Sequence, residues 1–434
     1  MVRHSAGHHY FVGGALVWLE TQCNRGRQIF VAFKVAEVCN LKCGYCYFFE
    51  KADDSYKSAP AYMTEETAIA AARFLAQGAV DAGIPTVTIA LHGGEPLMMG
   101  KARLARICQI LRDEITPHAR LRLGIQTNGV LLDREWISLL QSYDCSIGIS
   151  LDGPKALHDA ARPDKRGRGS YDRVVAALRL LQEAHANGEI SEFGVLSVID
   201  PELTAEQSYA LFVDELGIKS IFFRQPSMTW DEADPATIRS VNTFLRDIFR
   251  IWVERNDSAV EIRSNVETLH PFLHDNAVAH RIDHLVDLVQ AISIRSNGDV
   301  CVDDSLPALT MRYRDSGYNV RTDSLAQFYA SEIWPEIQAS LTDKKSECAD
   351  CQWFGICGGG PIANRYSDAQ RFQNRSVYCE GYRGLFEDAY SYVGPAIGDV
   401  VIKDRLDLAA ERLKRVGPAT GALKPFDPPV SVSA

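Results

Sequence analysis

Short apolar runs alternate with amphipathic stretches along the first half of the chain. The apolar runs are rich in the β-branched and aromatic residues that favour strands, and they cover 29–37, 86–91, 121–126, 145–151, 192–198 and 219–224. The stretches between them repeat apolar residues at helical spacing, over 65–78, 101–114, 133–142, 171–187 and 204–215. Thr64 is placed to cap the first of these helices. Six strand–helix units predict an α/β fold with a parallel sheet, in the form of a partial (β/α)6 TIM-like barrel.

Polar or glycine-rich residues directly follow four of the predicted strands. Cys39 follows the first strand, Gly93 the second, Asn128 the third and Asp152 the fourth. In barrels of this kind the carboxyl ends of the strands meet at the face that holds the active site. We therefore expect these four segments to build one site.

The pattern changes after the sixth strand. A helical stretch covers 235–254, residues 292–303 predict a hairpin with Asn297-Gly298 in its turn, and residues 400–415 predict an exposed amphipathic helix. The Pro-, Gly- and Ser-rich end at 417–434 predicts disorder. These patterns divide the chain into an N-terminal extension, a barrel core, a helical connection, a smaller C-terminal Cys-rich domain and a C-terminal helix with its tail, at 1–28, 29–235, 236–289, 290–392 and 393–434.

Composition and charge are those of an ordinary soluble protein. Hydrophobic residues make up 46% of the chain and charged residues 24%, and the net charge is -10. That charge argues against a general nucleic-acid binder, which needs concentrated Lys and Arg. No apolar run approaches the length of a membrane span, and residues 1–14 lack the basic and apolar pattern of a secretory signal. We expect a cytoplasmic protein that binds neither nucleic acid nor membrane.

The 11 cysteines are unevenly distributed. Cys23, Cys108 and Cys145 stand alone and are expected to be small, buried side chains. The others fall in two regions, 39–46 and 301–379. In a chain without an export signal, clustered cysteines favour metal binding over disulfide formation.

The first region reads Cys39-Asn-Leu-Lys-Cys43-Gly-Tyr-Cys46. Three thiolates so close in sequence can bind one iron–sulfur cluster, in which each of four irons normally takes one cysteine. Three ligands leave one iron open to bind a substrate, as catalytic zinc sites keep an open position. A zinc site that adds His92 or another ligand is the alternative that the spacing leaves open.

These residues resemble the signature of the radical S-adenosylmethionine (radical SAM) superfamily. The match consists of the three-cysteine spacing after a first barrel strand, Tyr45 before the third cysteine, and Gly93-Gly94-Glu95-Pro96 after the second strand. The resemblance implies that the open iron of a [4Fe–4S] cluster chelates SAM, that Tyr45 packs near its adenine, and that the glycine-rich segment binds its amino group. Glycine suits that segment because it lets the backbone approach a ligand closely.

The same resemblance assigns further SAM contacts at the ends of later strands. They are Gln126, Asn128, Ser150, Asp152, Arg162 and Leu196. In sulfatase-maturase-like members, residues at the positions of Ser150 and Arg162 bind the SAM carboxylate, which the guanidinium fork matches. Asp152 is expected to orient the loop or meet the ribose, and Leu196 to contact adenine. Asn128 fits a capped turn after a strand equally well.

The second cysteine region offers the full ligand set of a closed cluster. Cys348, Cys351, Cys357 and Cys379 supply four thiolates, which suit a [4Fe–4S] cluster and equally describe a structural zinc site. The region resembles the SPASM domain, a C-terminal extension of radical SAM enzymes that mostly modify peptides. Cys301 resembles the strand-borne cysteine of that domain.

This region departs from the full SPASM pattern in two places. No cysteine lies within 256–300, and Gly358-Gly-Gly-Pro361 stands where a further cysteine is expected. We therefore expect one auxiliary [4Fe–4S] cluster, with a second less favoured, and Cys301 either unpaired or an alternative ligand.

An acidic residue directly follows the hairpin cysteine in sulfatase maturases. Here Val302 takes that position, and Asp303 and Asp304 come next. This difference weakens the likeness to sulfatase maturases. We take Asp303 as a catalytic candidate, with Asp304 as a second possible base or substrate contact. A pair of solvated turn residues is the alternative.

The segment from Cys357-Gly-Gly-Gly-Pro to Cys379 resembles a different branch, the maturases of ribosomally made peptides that form three-residue cyclophanes (XyeB, GrrM and FxsB type). The resemblance implies that a 5′-deoxyadenosyl radical takes hydrogen from an sp³ carbon of a precursor peptide and that the carbon radical attacks an aromatic ring. The auxiliary cluster would accept the second electron of this oxidation. An external one-electron reductant such as flavodoxin or ferredoxin would serve the radical cluster.

Other functions remain open on the sequence. Within radical chemistry on peptides they are thioether formation, epimerisation and formylglycine formation. A small-molecule radical SAM dehydrogenase and a non-catalytic iron–sulfur or zinc protein are further alternatives. For peptide recognition the candidates are the segment from Pro226 to Trp230 and the surroundings of His270 and His274, each of which also fits an ordinary loop or surface helix.

Overall fold

The computed structural model describes residues 28–51, 53–273, 291–342 and 346–415. Within these residues the strands form a single nine-stranded sheet. The strands are β1 Gln28–Ala36, β2 Thr86–Gly93, β3 Arg120–Thr127, β4 Cys145–Ser150, β5 Phe193–Val198, β6 Ser220–Arg224, β7 Glu261–Ile262, β8 Ile292–Ile294 and β9 Val300–Val302.

The sheet is almost entirely parallel. Its order is β7-β6-β5-β4-β3-β2-β1-β8-β9, and each neighbouring pair is parallel except the antiparallel pair β8–β9. From β1 to β7, strands that follow one another along the chain thus lie side by side, as successive strand–helix units require. The predicted hairpin forms as expected, and it extends the sheet beyond β1 because Val31, Ala32 and Phe33 pair with β8.

Helices connect the strands and surround the second cysteine region. They are α1 Glu65–Asp81, α2 Lys101–Ile115, α3 Arg134–Ser142, α4 Lys155–Ala161, α5 Tyr171–Ala186, α6 Ala205–Tyr209, α7 Pro235–Arg255, α8 Arg263–Leu273, α9 Met311–Arg314, α10 Leu325–Tyr329, α11 Ile333–Thr342, α12 Phe354–Cys357, α13 Cys379–Ile397 and α14 Asp399–Arg415. The short helix α4 was not expected from the sequence.

The predicted elements agree with the structure to within a few residues at their ends. The Thr64 hydroxyl accepts a hydrogen bond from the Thr67 amide at 3.2 Å and caps α1, as predicted. The predicted helix at 204–215 is not α-helical throughout. At Ala210–Glu215 it becomes a π-helical turn, in which each backbone hydrogen bond spans five residues instead of four.

The second cysteine region packs onto the barrel through an aromatic cluster. Trp353 stacks on Phe386 of α13 with ring centroids 5.9 Å apart, and both rings are buried together with Phe249 of α7. Arg246 of α7 also pairs with Asp388 of α13, with an Nε–Oδ2 distance of 3.0 Å. This contact fixes the cysteine region against the outer helix of the barrel.

Three sequence predictions lie outside the described residues: the N-terminal extension up to residue 27, the end of the helical connection with His274, and the disordered tail at 417–434. Among the helices of the described ranges, none combines the length and the apolar character that a membrane crossing demands.

Candidate functional site

The loop that follows β1 carries the first three cysteines. It is fastened to the segment after α4 by hydrogen bonds from the Lys42 amide to the Pro163 carbonyl at 2.8 Å and from the Gly44 amide to the Ala161 carbonyl at 3.1 Å. All three thiols are free and partly buried. The segment that contains Arg162 therefore forms one wall of the cysteine loop.

Burial keeps these thiols neutral in the absence of metal. It raises the pKa of Cys39 to about 12 and that of Cys43 to about 11, and the neighbouring thiolates add to the effect. It also raises the pKa of Cys46. A bound cation reverses this preference, because a coordinating thiol is deprotonated outright.

The three thiols are not gathered as ligands of one ion. Across the described part of the chain, no three His, Cys, Asp or Glu side chains are grouped closely enough to hold a single metal ion. A cubane cluster places its irons at separate corners, so its ligand sulfurs lie further apart than those of a mononuclear site. The choice between zinc and an iron–sulfur cluster therefore depends on the family that the barrel resembles.

The segment Gly93-Gly94-Glu95-Pro96 packs directly against the start of the cysteine loop. The Gly94 amide donates to the Ala36 carbonyl at 2.7 Å, and the Glu95 amide donates to the Val38 carbonyl at 2.9 Å. A Cβ on Gly94 would lie 2.2 Å from the Val38 oxygen. The glycines are needed for this close approach to the backbone of β1, in addition to any ligand contact.

Glu95 connects this segment to the turn after β3. Its buried carboxylate accepts hydrogen bonds from the Leu97 amide at 3.1 Å, the Thr127 hydroxyl at 2.7 Å and the Asn128 amide at 2.8 Å. Burial raises the pKa of Glu95 to about 7, although these donors oppose the rise. The carboxylate thus holds two strand ends together.

Asn128 faces the cysteine loop, as the sequence analysis expects. Its side-chain nitrogen donates to Asn40 Oδ1 at 2.7 Å and lies 3.8 Å from Cys39 Sγ. Its oxygen also accepts from the Val130 amide at 3.1 Å, which is the capped turn of the alternative interpretation. Gln126 lies beside it and donates to the Ser150 hydroxyl at 2.9 Å.

Asp152 and Arg162 form a buried ion pair at the end of β4. The Arg162 Nε–Asp152 Oδ2 distance is 2.5 Å, and the second nitrogen, Nη2, is 3.2 Å from Oδ1. Burial alone would raise the pKa of Asp152, but the Arg162 charge and its hydrogen bonds outweigh burial and lower it. The Tyr45 hydroxyl also donates to Asp152. The expected SAM carboxylate ligand Arg162 is thus held by an internal carboxylate.

Behind this pair lies a fully buried histidine. His158 Nδ1 accepts from the Asp152 amide at 3.2 Å, so its Nε2 carries the proton and donates to the Ser170 hydroxyl at 3.0 Å. Ser170 donates in turn to the Arg162 carbonyl at 2.7 Å. Burial lowers the pKa of His158 to about 4, and the Arg162 charge adds to this. The chain His158–Ser170 therefore fixes the backbone of both ion-pair partners.

Leu196 lies on β5 beside Ser150 in the strand register, and its side chain is partly exposed. Its carbonyl accepts from the Leu151 amide at 3.0 Å. The structure thus places it at the same end of the sheet as the other expected SAM contacts.

Asp304, rather than Asp303, reaches the site. Asp304 Oδ1 is 2.8 Å from the Nζ of the buried Lys34, its Oδ2 accepts from the Tyr47 hydroxyl, and His92 Nδ1 is 3.6 Å away. Although burial opposes ionisation, the Lys34 charge holds the pKa of Asp304 well below its usual range. This cluster joins the ends of β1, β2 and β9 to Tyr47, the residue that follows Cys46 in the chain.

Asp303 has a local role. Its carboxylate accepts from the Ser305 amide and hydroxyl, both at 2.7 Å, and its backbone is in the left-handed region at a φ of 50°. This is a side-chain-bonded turn after the hairpin. Sequence reasoning missed Lys34 because a lysine within an apolar strand carries no recognisable signal for a site.

The four cysteines of the second region line one cavity of about 520 Å³. They are Cys348, Cys351, Cys357 and Cys379, with Trp353, Gly359, Arg375 and Phe386 also at the wall. Burial raises the pKa of Cys379 to about 11 and also raises that of Cys348. Four thiols outside any disulfide around a space of this size fit a closed cluster.

Cys301 is separate from that cavity. It is buried on β9, and its thiol donates to the Arg314 carbonyl at 3.6 Å. The sequence prediction left Cys301 either unpaired or an alternative ligand, and both possibilities stand.

The segment between Cys357 and Cys379 holds the loop after β6. Asn364 Nδ2 donates to the Met228 carbonyl at 2.8 Å, and the Tyr378 hydroxyl donates to the Pro226 carbonyl at 3.1 Å. Trp230 Nε1 donates to the Arg375 carbonyl at 2.7 Å. The loop proposed for peptide recognition is thus clamped by the residues that resemble the cyclophane maturases.

The barrel residues are similar to a known family. The family model described as the Radical SAM superfamily matches residues 33–207. This range contains the cysteine loop, the glycine-rich segment and the Asp152–Arg162 pair. Residues 33–207 are therefore similar to the radical SAM domain, and that similarity implies SAM and a [4Fe–4S] cluster as cofactors.

Among curated proteins, the chain is similar to anaerobic sulfatase-maturating enzymes. It is 23% identical over 360 residues to the cysteine-type enzyme of Clostridium perfringens, a match that covers 81% of this chain and 93% of that protein. It is 27% identical over 406 residues to the serine-type enzyme of Klebsiella aerogenes, which covers 90% and 91%. The likeness thus extends through the second cysteine region.

Solved structures show the same fold. Native anSMEcpe with bound AdoMet and Cp18Cys peptide superimposes with a TM-score of 0.69 at 22% identity, over 89% of this chain and all of that chain. Streptococcus suis SuiB bound to precursor peptide SuiA gives a TM-score of 0.55 at 18% identity, over 87% and 84%. The predicted α/β fold, a TIM-like partial barrel with a C-terminal extension, is confirmed.

Proposed function

We propose that this protein is a radical SAM maturase that modifies a ribosomally made peptide. The observation that carries the proposal is the four-cysteine cavity, which accompanies the three-cysteine loop in one chain. The similarity to sulfatase-maturating enzymes supports it because the likeness extends over 90% of the chain in the Klebsiella comparison and so includes both cysteine regions.

The residues that would hold the cofactors are those already placed by the fold. Cys39, Cys43 and Cys46 would hold the radical cluster, and the four cavity cysteines an auxiliary cluster. With SAM bound, these groups would supply hydrogen abstraction by a 5′-deoxyadenosyl radical and an acceptor for the remaining electron. The protein positions the substrate and excludes water around this chemistry.

The acidic cluster supplies a fixed carboxylate at the barrel mouth. Lys34 and Tyr47 keep Asp304 ionised and oriented. A carboxylate with so low a pKa is a weak base, so in this position it would orient the peptide by accepting hydrogen bonds rather than by removing a proton. We propose Asp304, in place of Asp303, as the acidic residue that contacts the substrate.

For the reaction itself we propose a carbon–carbon cross-link of the cyclophane type. The support is the resemblance of the segment from Cys357 to Cys379, together with the contacts of Asn364 and Tyr378 to the loop after β6. Through these contacts, Asn364 and Tyr378 lie against the loop at the carboxyl end of β6. The segment that carries the resemblance can therefore influence the mouth of the barrel as well as the cysteine cavity.

A specific observation favours formylglycine formation as the second candidate. The sequence separates the acidic residue from Cys301 by one or two positions, yet Asp304 still reaches the end of β1 and contacts Tyr47. An acidic group is therefore present in the site, and the relatives among sulfatase-maturating enzymes fit this alternative about as well.

Co-expression with a candidate precursor peptide, followed by mass spectrometry, tests the proposal. A cross-link removes two hydrogens, resists fragmentation inside the ring and does not react with a hydrazide. A formylglycine made from serine also loses two hydrogens but forms a hydrazone. Cys43→Ala should abolish either product, whereas Cys108→Ala, at a buried cysteine outside both regions, should not. An unmodified peptide with a loaded enzyme would contradict the peptide assignment.

A further inference from the structure

Arg365 is a charged side chain in the interior of the second cysteine region. It lies at the end of a short 3-10 helix, Ile362–Arg365, and only 1% of it is exposed. A guanidinium remains protonated in proteins, so this burial places a positive charge in a medium of low dielectric constant. Such a charge is costly unless anions lie nearby.

The contacts of Arg365 hold the guanidinium against the cysteine cavity. Nη2 donates to the Ser346 hydroxyl at 3.0 Å, and the same hydroxyl accepts from the Cys348 amide at 3.3 Å. Nε donates to the Asn374 carbonyl at 2.9 Å. A Cβ on Gly359, which lines the cavity, would lie 2.7 Å from Nη1, so the guanidinium packs directly against the backbone of the cavity wall.

The cavity cysteines would supply negative charge near this cation when they bind a cluster, because a coordinating thiol is deprotonated. Ser346 joins the guanidinium to the Cys348 amide, and Gly359 of the cavity wall lies against Nη1. The cation and the cavity are therefore within electrostatic reach of each other.

We propose that Arg365 compensates the negative charge of an auxiliary iron–sulfur cluster held by Cys348, Cys351, Cys357 and Cys379 and thereby raises its reduction potential. The inference rests on the proposed function in one respect, that a cluster occupies the cavity. Each added electron makes a thiolate-ligated cluster more negative, and the net charge and hydrogen bonds around a cluster set its potential. A buried cation stabilises the reduced form more than the oxidised form, so the cluster takes up an electron from the substrate side more readily.

Arg375 offers a matched control on the same cavity. It lies at the wall of the cavity, and 43% of its side chain is exposed. Solvent and salt screen a charge in that position. Arg375 is also paired with Glu380 at 2.9 Å and with Glu347 at 3.8 Å, so these carboxylates weaken its field at the cavity as well.

The experiment measures the auxiliary cluster alone. In a chain that carries Cys39→Ala, Cys43→Ala and Cys46→Ala, the reconstituted protein is titrated with reductant and followed by electron paramagnetic resonance. The compared variants in this background are Arg365→Gln, Arg365→Lys and Arg375→Gln, each with its iron content and thermal unfolding. We expect Arg365→Gln to shift the midpoint to a lower potential, Arg365→Lys to remain close to the parent, and Arg375→Gln to shift it much less.

Loss of iron from a folded Arg365→Gln protein, with iron retained in Arg365→Lys, would support the same role. If an Arg365→Gln protein that contains the cluster has an unchanged midpoint potential, the inference is overturned. The auxiliary cluster itself would then still stand. Equal effects of Gln and Lys overturn it as well, because the charge is then not responsible. A parent protein without any cluster signal removes both the inference and the auxiliary cluster of the proposed function.

Discussion

Asp152 and Arg162 form a two-point ion pair at the carboxyl end of β4, with distances of 2.5 Å and 3.2 Å, and both side chains are buried. The pair packs against the cysteine loop. The guanidinium carbon of Arg162 lies 5.3 Å from the ring centre of Tyr45. The Asp152 carboxylate therefore fixes the position of Arg162, which is expected to bind the carboxylate of SAM.

Removal of the acidic partner should destabilise the protein. Asp152→Asn leaves the Arg162 charge buried without its carboxylate, and we expect the free energy of unfolding to fall by about 3–5 kcal/mol. Chemical denaturation followed by tryptophan fluorescence measures this. Asp172→Asn removes an exposed contact to Lys155 and should change the free energy of unfolding by less than about 1 kcal/mol. Similar effects of both substitutions would contradict the assigned role of burial.

His158 should make stability depend on pH in the acidic range. Its pKa is lowered from 6.5 to about 4 in the folded protein, so the unfolded chain binds the extra proton between these values. Stability from neutral His158 is thus complete above about pH 6.5 and is lost as the pH falls towards 4, by up to about 3 kcal/mol. The measurement compares unfolding at several pH values in the parent protein and in His158→Asn. The slope should be smaller in the variant, and equal slopes would disprove the assignment.

Asp304 and Asp303 should differ sharply as targets of mutation. Asp304→Asn removes the carboxylate beside Lys34 and Tyr47, and we expect the rate of peptide modification to fall by about 10²-fold or more, with SAM cleavage retained. Asp303→Asn should keep the rate within about a factor of two, because asparagine tolerates a left-handed backbone and can bond the same turn. Peptide product and 5′-deoxyadenosine are quantified in the same assay. A large loss in Asp303→Asn alone would restore the assignment from the sequence.

Gly94 should be essential for loading of the radical cluster. A Cβ there would lie 2.2 Å from the Val38 carbonyl oxygen, next to Cys39, so Gly94→Ala must displace the cysteine loop. We expect iron bound at this site to be largely lost. Gly44→Ala is the matched control in the same loop, where a Cβ meets no atom within 4 Å. Iron content and the visible absorption of reconstituted protein report the outcome, and full loading of Gly94→Ala would count against the packing argument.

Local patterns in the sequence determined most of the fold and the identity of the chemistry. The strand and helix periods, the cap at Thr64 and the spacing of Cys39, Cys43 and Cys46 depend on residues near each other in the chain, so they can be recognised without a structure. The position of Asn128 at the end of β3 also follows from the rule that strand ends of a parallel sheet share one face. These features sufficed to recognise the resemblance to the radical SAM superfamily.

Only the tertiary structure decided which distant residues meet. Asp304 contacts Lys34 and Tyr47, whereas Asp303 bonds within its own turn. Lys34 pairs with His92 in the strand register, and Arg365 contacts Ser346 and Asn374 next to the cysteine cavity. None of these pairings has a local signal, because each depends on how separate elements pack. The electrostatic energy of a buried charge depends on the residues that surround it in space. The sequence alone does not show which residues these are.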